Sequence, residues 1–134
     1  MLQYFAIFLI ILFSLPLLCK KTEKPIRKVK KENLKLNLKQ LNKFNGIDDE
    51  RIFISINRKI YDVSKKRTYY GPDGPYSPFA GHDATLAFAK HSLDESFLDY
   101  FGKMDLSEDE KSNLDSFLEL FDSSYQIVGD LVKE

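Results

Sequence analysis

The chain has no tryptophan, one cysteine and two histidines in 134 residues. A lone Cys19 forms neither an intrachain disulfide framework nor a cysteine-built zinc site, and His82 and His91 are too few for a histidine-built one. No nucleophile–base pair, phosphate-cradling glycine loop or metal motif stands out, so the pattern does not point to an enzyme. No internal repeat is visible. The first nineteen residues also carry no positive charge, which a secretory signal would place ahead of its apolar run.

What is present divides sharply along the chain. Leu2 to Cys19 is apolar and uncharged, and such a run at ~1.5 Å rise per residue reaches about 27 Å, marginally enough to cross a bilayer's hydrocarbon region. Nine Lys/Arg follow between Lys20 and Gln40, against Glu23 and Glu32. Basic residues behind an apolar run predict a signal anchor over 1–19, single-pass, with the folded domain on the cytoplasmic side. The alternatives are a cleaved signal peptide with a secreted product, or a lipoprotein signal that leaves Cys19 as the lipidated first residue. Bulky Leu18 and the missing basic start count against the latter. Residues 20–35 read as a solvated basic tether whose partner is anionic lipid, not nucleic acid. From Asp94 to Glu134 twelve Asp/Glu stand against Lys103, Lys111 and Lys133, so the zero net charge hides a basic stalk and an acidic last third.

Residues 36–134, roughly 100, suffice for one small domain with one core. Leu36, Leu38, Leu41 and Phe44 suggest a short helix or a strand-then-turn before Asn45-Gly46. Arg51–Ile56 and Lys59–Val63 are rich in β-branched and aromatic residues, and the two residues between them, Asn57-Arg58, predict a tight hairpin. Lys65-Lys66-Arg67 reads as a turn. Asp83 is expected to cap a short helix over Ala84 to Ala89, and Leu93-Asp94 to begin another helical piece. Ser107-Glu108-Asp109-Glu110 reads as a capping box opening a helix over 108–122, with Leu114, Phe117, Leu118 and Phe121 on one face. Tyr125–Gly129 closes the domain as a strand. The fold class is α+β, a small sheet with several short helices around a pocket.

The segment Tyr69-Tyr70-Gly71-Pro72-Asp73-Gly74-Pro75-Tyr76-Ser77-Pro78-Phe79-Ala80-Gly81 stands apart. Three prolines fix φ and the glycines relieve the backbone, so it is expected as a shaped loop, neither helix nor strand. Phenols held beside apolar surface suit a flat, mostly apolar ligand gripped by one polar handle.

Phe44-Asn45-Gly46, Ile56-Asn57, Val63-Ser64, Tyr70-Gly71-Pro72-Asp73-Gly74-Pro75-Tyr76, Phe79-Ala80-Gly81, Asp83-Ala84, Leu93-Asp94 and Val128-Gly129, in this order, resemble the membrane-associated progesterone receptor family. That family is a branch of the cytochrome b5-like haem/steroid-binding domains. The resemblance implies a membrane-anchored protein that binds b-type haem non-covalently, in haem handling or in regulation of a membrane partner. The alternative it leaves is a haem-independent module for a sterol, another apolar molecule or a protein. Tyr76 would ligate ferric iron through its phenolate oxygen, Tyr70 would line the pocket, and Tyr125 would hydrogen-bond toward Tyr76. Ser124 stands where the family's best-known members place a lysine. Haem-mediated homodimers occur in some members. A free phenol titrates near ~10, so phenolate at neutral pH needs a cation such as Fe(III) beside it, and tyrosine is an established axial haem ligand. Cytochrome b5's own His-Pro-Gly-Gly motif is absent, which sets aside its electron-shuttling mechanism. His91 reads as a helix-end residue, His82 as solvated beside a helix start, and Asp73 as shaping its turn through an Asx bond.

Overall fold

Four short strands carry the domain in the computed structural model, which describes residues 32–134. They are β1 (Leu34–Leu36), β2 (Phe53–Ile56), β3 (Lys59–Asp62) and β4 (Gln126–Leu131), ordered β1-β4-β3-β2 across one sheet. The expected hairpin joins β2 to β3. Asn57 and Arg58 both have positive φ, 50° and 63°, the two left-handed positions of the turn whose twist matches the strands. β4 runs antiparallel to β3, with a bulge between Ile60 and Tyr61, and parallel to β1.

β1 takes in Leu34 and Lys35, which composition alone assigns to the tether. The reason lies far along the chain, at Gly129, which pairs with Leu34. A Cβ at residue 129 would stand 2.2 Å from the Leu34 carbonyl oxygen, so only glycine lets the strand seat. An ion pair between Lys35 and Asp130 closes the same pairing.

Four α-helices pack about this sheet: α1 (Leu38–Leu41), α2 (Arg67–Tyr70), α3 (Thr85–Ala89) and α4 (Glu108–Ser124). Asn37 and Gln40 form a reciprocal capping box on α1, so the opening segment is a strand followed by a single helical turn. Ser64–Lys66 is a 3-10 turn that runs into α2, where a plain turn was expected. The tyrosine segment is likewise more regular than its composition suggests, because Tyr69 and Tyr70 end α2 and Ser77–Phe79 form a 3-10 turn.

Asp83 is not the cap of α3; Ala84 holds that position without a side-chain bond. The Asp83 carboxylate is drawn one residue back into the interior, accepting from Ser55 Oγ at 2.7 Å and from the Thr85 amide at 3.2 Å. Ser107 caps α4 as expected by accepting from the Glu110 amide at 3.2 Å. The return bond differs from a capping box, since the Ser107 hydroxyl donates to Glu110 Oε1.

The core lies between the sheet and the α3–α4 pair. Every residue of α3 is buried, and α4 sends in Phe117 and Phe121. Phe88 is the hub, with ring centroids 5.0 Å from Phe79, 4.5 Å from Phe117 and 5.4 Å from Phe121. Burying each such ring contributes about 1.5–3 kcal/mol. The architecture is the α+β arrangement expected. The expected anchor over 1–19 and the tether as far as residue 31 lie outside the described residues. Among the described residues no helix is long and apolar enough to cross a membrane.

Candidate functional site

Two successive turns shape the tyrosine loop. The Gly74 amide donates to the Gly71 carbonyl at 2.9 Å, and the Ser77 amide to the Gly74 carbonyl at 3.2 Å. Pro72 and Pro75 each take the second position of their turn, where a fixed φ near −65° belongs. Asp73 makes no side-chain bond in the first turn, which backbone groups close instead. The folded loop lies against the end of α2: the Tyr76 amide donates to the Tyr69 carbonyl at 2.9 Å. A Cβ on Gly74 would come within 2.3 Å of that carbonyl oxygen, so glycine there is what lets the loop close.

Closure brings Tyr76 back beside Tyr70, with ring centroids 5.9 Å apart. Tyr76 takes φ −109° and ψ 18°, the third position of its turn, and its ring lies parallel to Phe79 at 6.2 Å. Both tyrosines are only 5% exposed. Tyr125, at the end of α4, reaches the same place: its ring meets Tyr70 edge-on at 6.5 Å and Phe121 at 4.9 Å. The three tyrosines singled out in the sequence thus form one cluster.

Their protons are firmly held. Burial pushes the Tyr70 phenol well above its ordinary value, and the neighbouring Tyr125 and Tyr76 add to the effect. Burial raises the Tyr125 phenol as well, and its neighbour Tyr70 partly offsets that rise. Burial also raises Tyr76, with Tyr69 as the second cause. Ser124 is exposed at the last position of α4 and brings no cation to Tyr125's neighbour. The cluster is a set of neutral phenols in an apolar setting, a donor type suited to a hard trivalent metal once a proton leaves.

The two histidines have packing partners of their own. His91 follows α3 in a left-handed conformation, φ 49°, with its ring edge-on to Phe117 at 5.4 Å; burial lowers its pKa. His82 is not simply solvated. Its Nδ1 lies 2.6 Å from Asp99 Oδ2, and that bond is the first cause of its raised pKa. Asp99 Oδ1 accepts from the Asp83 amide at 2.8 Å, and the Asp99 amide donates back to the Asp83 carbonyl at 2.8 Å. This clasp ties the 98–104 segment to the start of α3. Beside it a cleft of about 190 Å³ opens between Arg58, Asp83, Thr85, Phe101 and Met104. Sequence reading missed the clasp, since nothing local pairs residue 82 with residue 99.

Residues 37–127 match the model of the Cytochrome b5-like Heme/Steroid binding domain. The chain belongs to this family. A cytochrome P450 regulator from Schizosaccharomyces pombe is 36% identical over 99 residues, covering 69% of this chain and 60% of that protein. Membrane-associated progesterone receptor component 2 from Homo sapiens is 35% identical over 99 residues, covering 72% of this chain and 44% of the relative. The chain thus aligns with only about half the length of these curated relatives. A solved Arabidopsis thaliana protein with a cytochrome b5-like fold superimposes with a TM-score of 0.69 at 28% identity, over 81% of this chain and 99% of that one. The α+β fold expected from the sequence is therefore that of a cytochrome b5-like domain.

Proposed function

We propose that this chain binds haem through Tyr76 and acts as a non-enzymatic regulator of a membrane partner. The observation that carries the reading is the closure of the Gly71–Ser77 double turn, which sets Tyr76 beside Tyr70 and Tyr125 in a cluster of neutral phenols. The family's description and its relatives' names, a P450 regulator and a membrane-associated receptor component, support the haem and the membrane partner.

Ferric haem would supply a Lewis-acidic iron that favours an anionic oxygen donor. Tyr76 offers that oxygen from a turn whose backbone is fixed on both sides. Its proton must leave to solvent on binding, because burial holds the phenol above its ordinary range. Tyr70 lines the cluster, with its ring packed edge-on against Tyr125. Phe79, parallel to Tyr76, keeps water from one side of that ring. The anchor over 1–19 and the tether over 20–35 would hold the domain at the membrane, where such a partner resides.

A hemin titration of the full chain, read by absorption, tests this. A ferric Soret band that saturates, and an affinity at least ~10-fold weaker in Tyr76→Phe, is the expected result. A chain that stays colourless with excess hemin overturns it. One feature favours a second reading. The cluster is neutral throughout and Ser124 brings no cation, which suits an uncharged apolar ligand such as a steroid. A rise in Tm with progesterone but none with hemin would select that reading.

A further inference from the structure

Tyr61 is a wholly buried core residue that still carries a hydroxyl. Its ring packs edge-on to Phe121 at 5.4 Å, and the hydroxyl donates to Asp122 Oδ1 at 2.6 Å. Left without a partner, that group would cost about 1–3 kcal/mol. The acceptor is unexpected in its own right. A carboxylate in the last turn of α4 faces the negative end of the helix dipole, and no basic residue in that turn offsets it. The Tyr61 hydroxyl gives the carboxylate a donor there.

Tyr61 acts on the other side of the same reversal through its backbone. It pairs with Ile127 on β4, directly beyond the β3–β4 bulge. One residue therefore holds the chain at 122, before the reversal, and at 127, after it. Between these points lies Tyr125, whose amide donates to the Phe121 carbonyl at 2.9 Å and whose ring rests on Phe121 and faces Tyr70. The contacts run without a gap from Tyr61 through Phe121 and Tyr125 to Tyr70 and Tyr76.

We propose that Tyr61, by bonding Asp122 and pairing with Ile127, is a positioning residue that fixes Tyr125 against Tyr70 and so sets the shape of the phenol cluster. Its structural part stands alone; its consequence for ligand binding rests on the haem reading above.

Three variants of the full chain separate these parts. Tyr61→Phe removes only the hydroxyl, Asp122→Ala removes the acceptor, and Asp122→Asn leaves an acceptor oxygen in place. The Tyr125 phenol is followed by the NMR signal of its own Cζ across an alkaline titration, with circular dichroism checking that the fold persists, and hemin affinity is measured in parallel. Tyr61→Phe and Asp122→Ala should bring the Tyr125 titration down toward the ordinary phenol value of ~10 and weaken hemin binding by about tenfold. Asp122→Asn should restore both. If Tyr61→Phe lowers only the Tm and leaves the Tyr125 titration unchanged, the proposal is overturned and Tyr61 serves stability alone. If the wild-type chain binds no hemin, the haem reading falls while the Tyr125 titration still decides this one.

Discussion

The two ends of β3 are built from different materials. At the Lys59 end, beside the hairpin turn, each charged side chain has its own hydrogen-bond partner: His82 bonds Asp99, Asp99 accepts from the Asp83 amide, and Asp83 accepts from Ser55 and Thr85. At the Asp62 end, where Gln126 pairs and Tyr125 enters, the phenols of Tyr70, Tyr76 and Tyr125 gather. A locked ion pair fastens a loop and has little left to offer a ligand. A neutral phenol costs less to bury than a charged group and keeps a proton that a metal can displace. The difference teaches which end holds the fold and which end is suited to bind.

That contrast can be broken by mutation. Phe121→Ala should have the largest effect, because this ring joins Tyr61, Phe88 and Tyr125. A loss of ~3–5 kcal/mol is expected from urea unfolding. If the ends are distinct, amide exchange near Tyr125 should quicken more than exchange around the clasp. Gly129→Ala should cost about 1–3 kcal/mol, since its methyl group meets the Leu34 carbonyl and unseats β1. Faster exchange of the Val132 amide, which donates to Leu36, would report it.

The clasp should show itself through pH. His82 faces Asp99 and Glu95, and its folded pKa is raised, chiefly by the Asp99 bond. A raised value means that the added stability is fully present below the ordinary histidine value of ~6.5 and is lost as pH climbs through the folded one. Tm should therefore fall modestly between about pH 6 and pH 8, and His82→Gln should flatten that slope. A slope unchanged by the substitution would remove the clasp from the comparison. Arg58→Gly should have the smallest effect, a gain of about 0.5 kcal/mol as a strained left-handed residue is relieved, with no change at the phenol end.

Legibility followed the range of the interactions. Asn57-Arg58 between two β-rich runs announced the hairpin, and Ser107 announced the start of α4, because each acts within a few residues. The family resemblance singles out Tyr70, Tyr76 and Tyr125, and the fold brings their three rings together. Composition places Leu34 and Lys35 in the tether because their partners, Gly129 and Asp130, lie at the far end of the chain. Asp83 has the right chemistry for a cap, yet a buried Ser55 claims its carboxylate. α2 is a single turn, too short for periodicity to reveal. Tyr61 and Asp122 meet across 61 residues, and Tyr61 looked like any aromatic in a strand.

The account depends on Tyr76 giving its phenolate oxygen to ferric iron. Resonance Raman spectroscopy of the hemin-loaded full chain, compared with the Tyr76→Phe, Tyr70→Phe and Tyr125→Phe variants, tests this most directly. The account predicts an iron–phenolate vibration that disappears only in Tyr76→Phe. A spectrum without that vibration in the wild type, or one that survives in Tyr76→Phe, would contradict it.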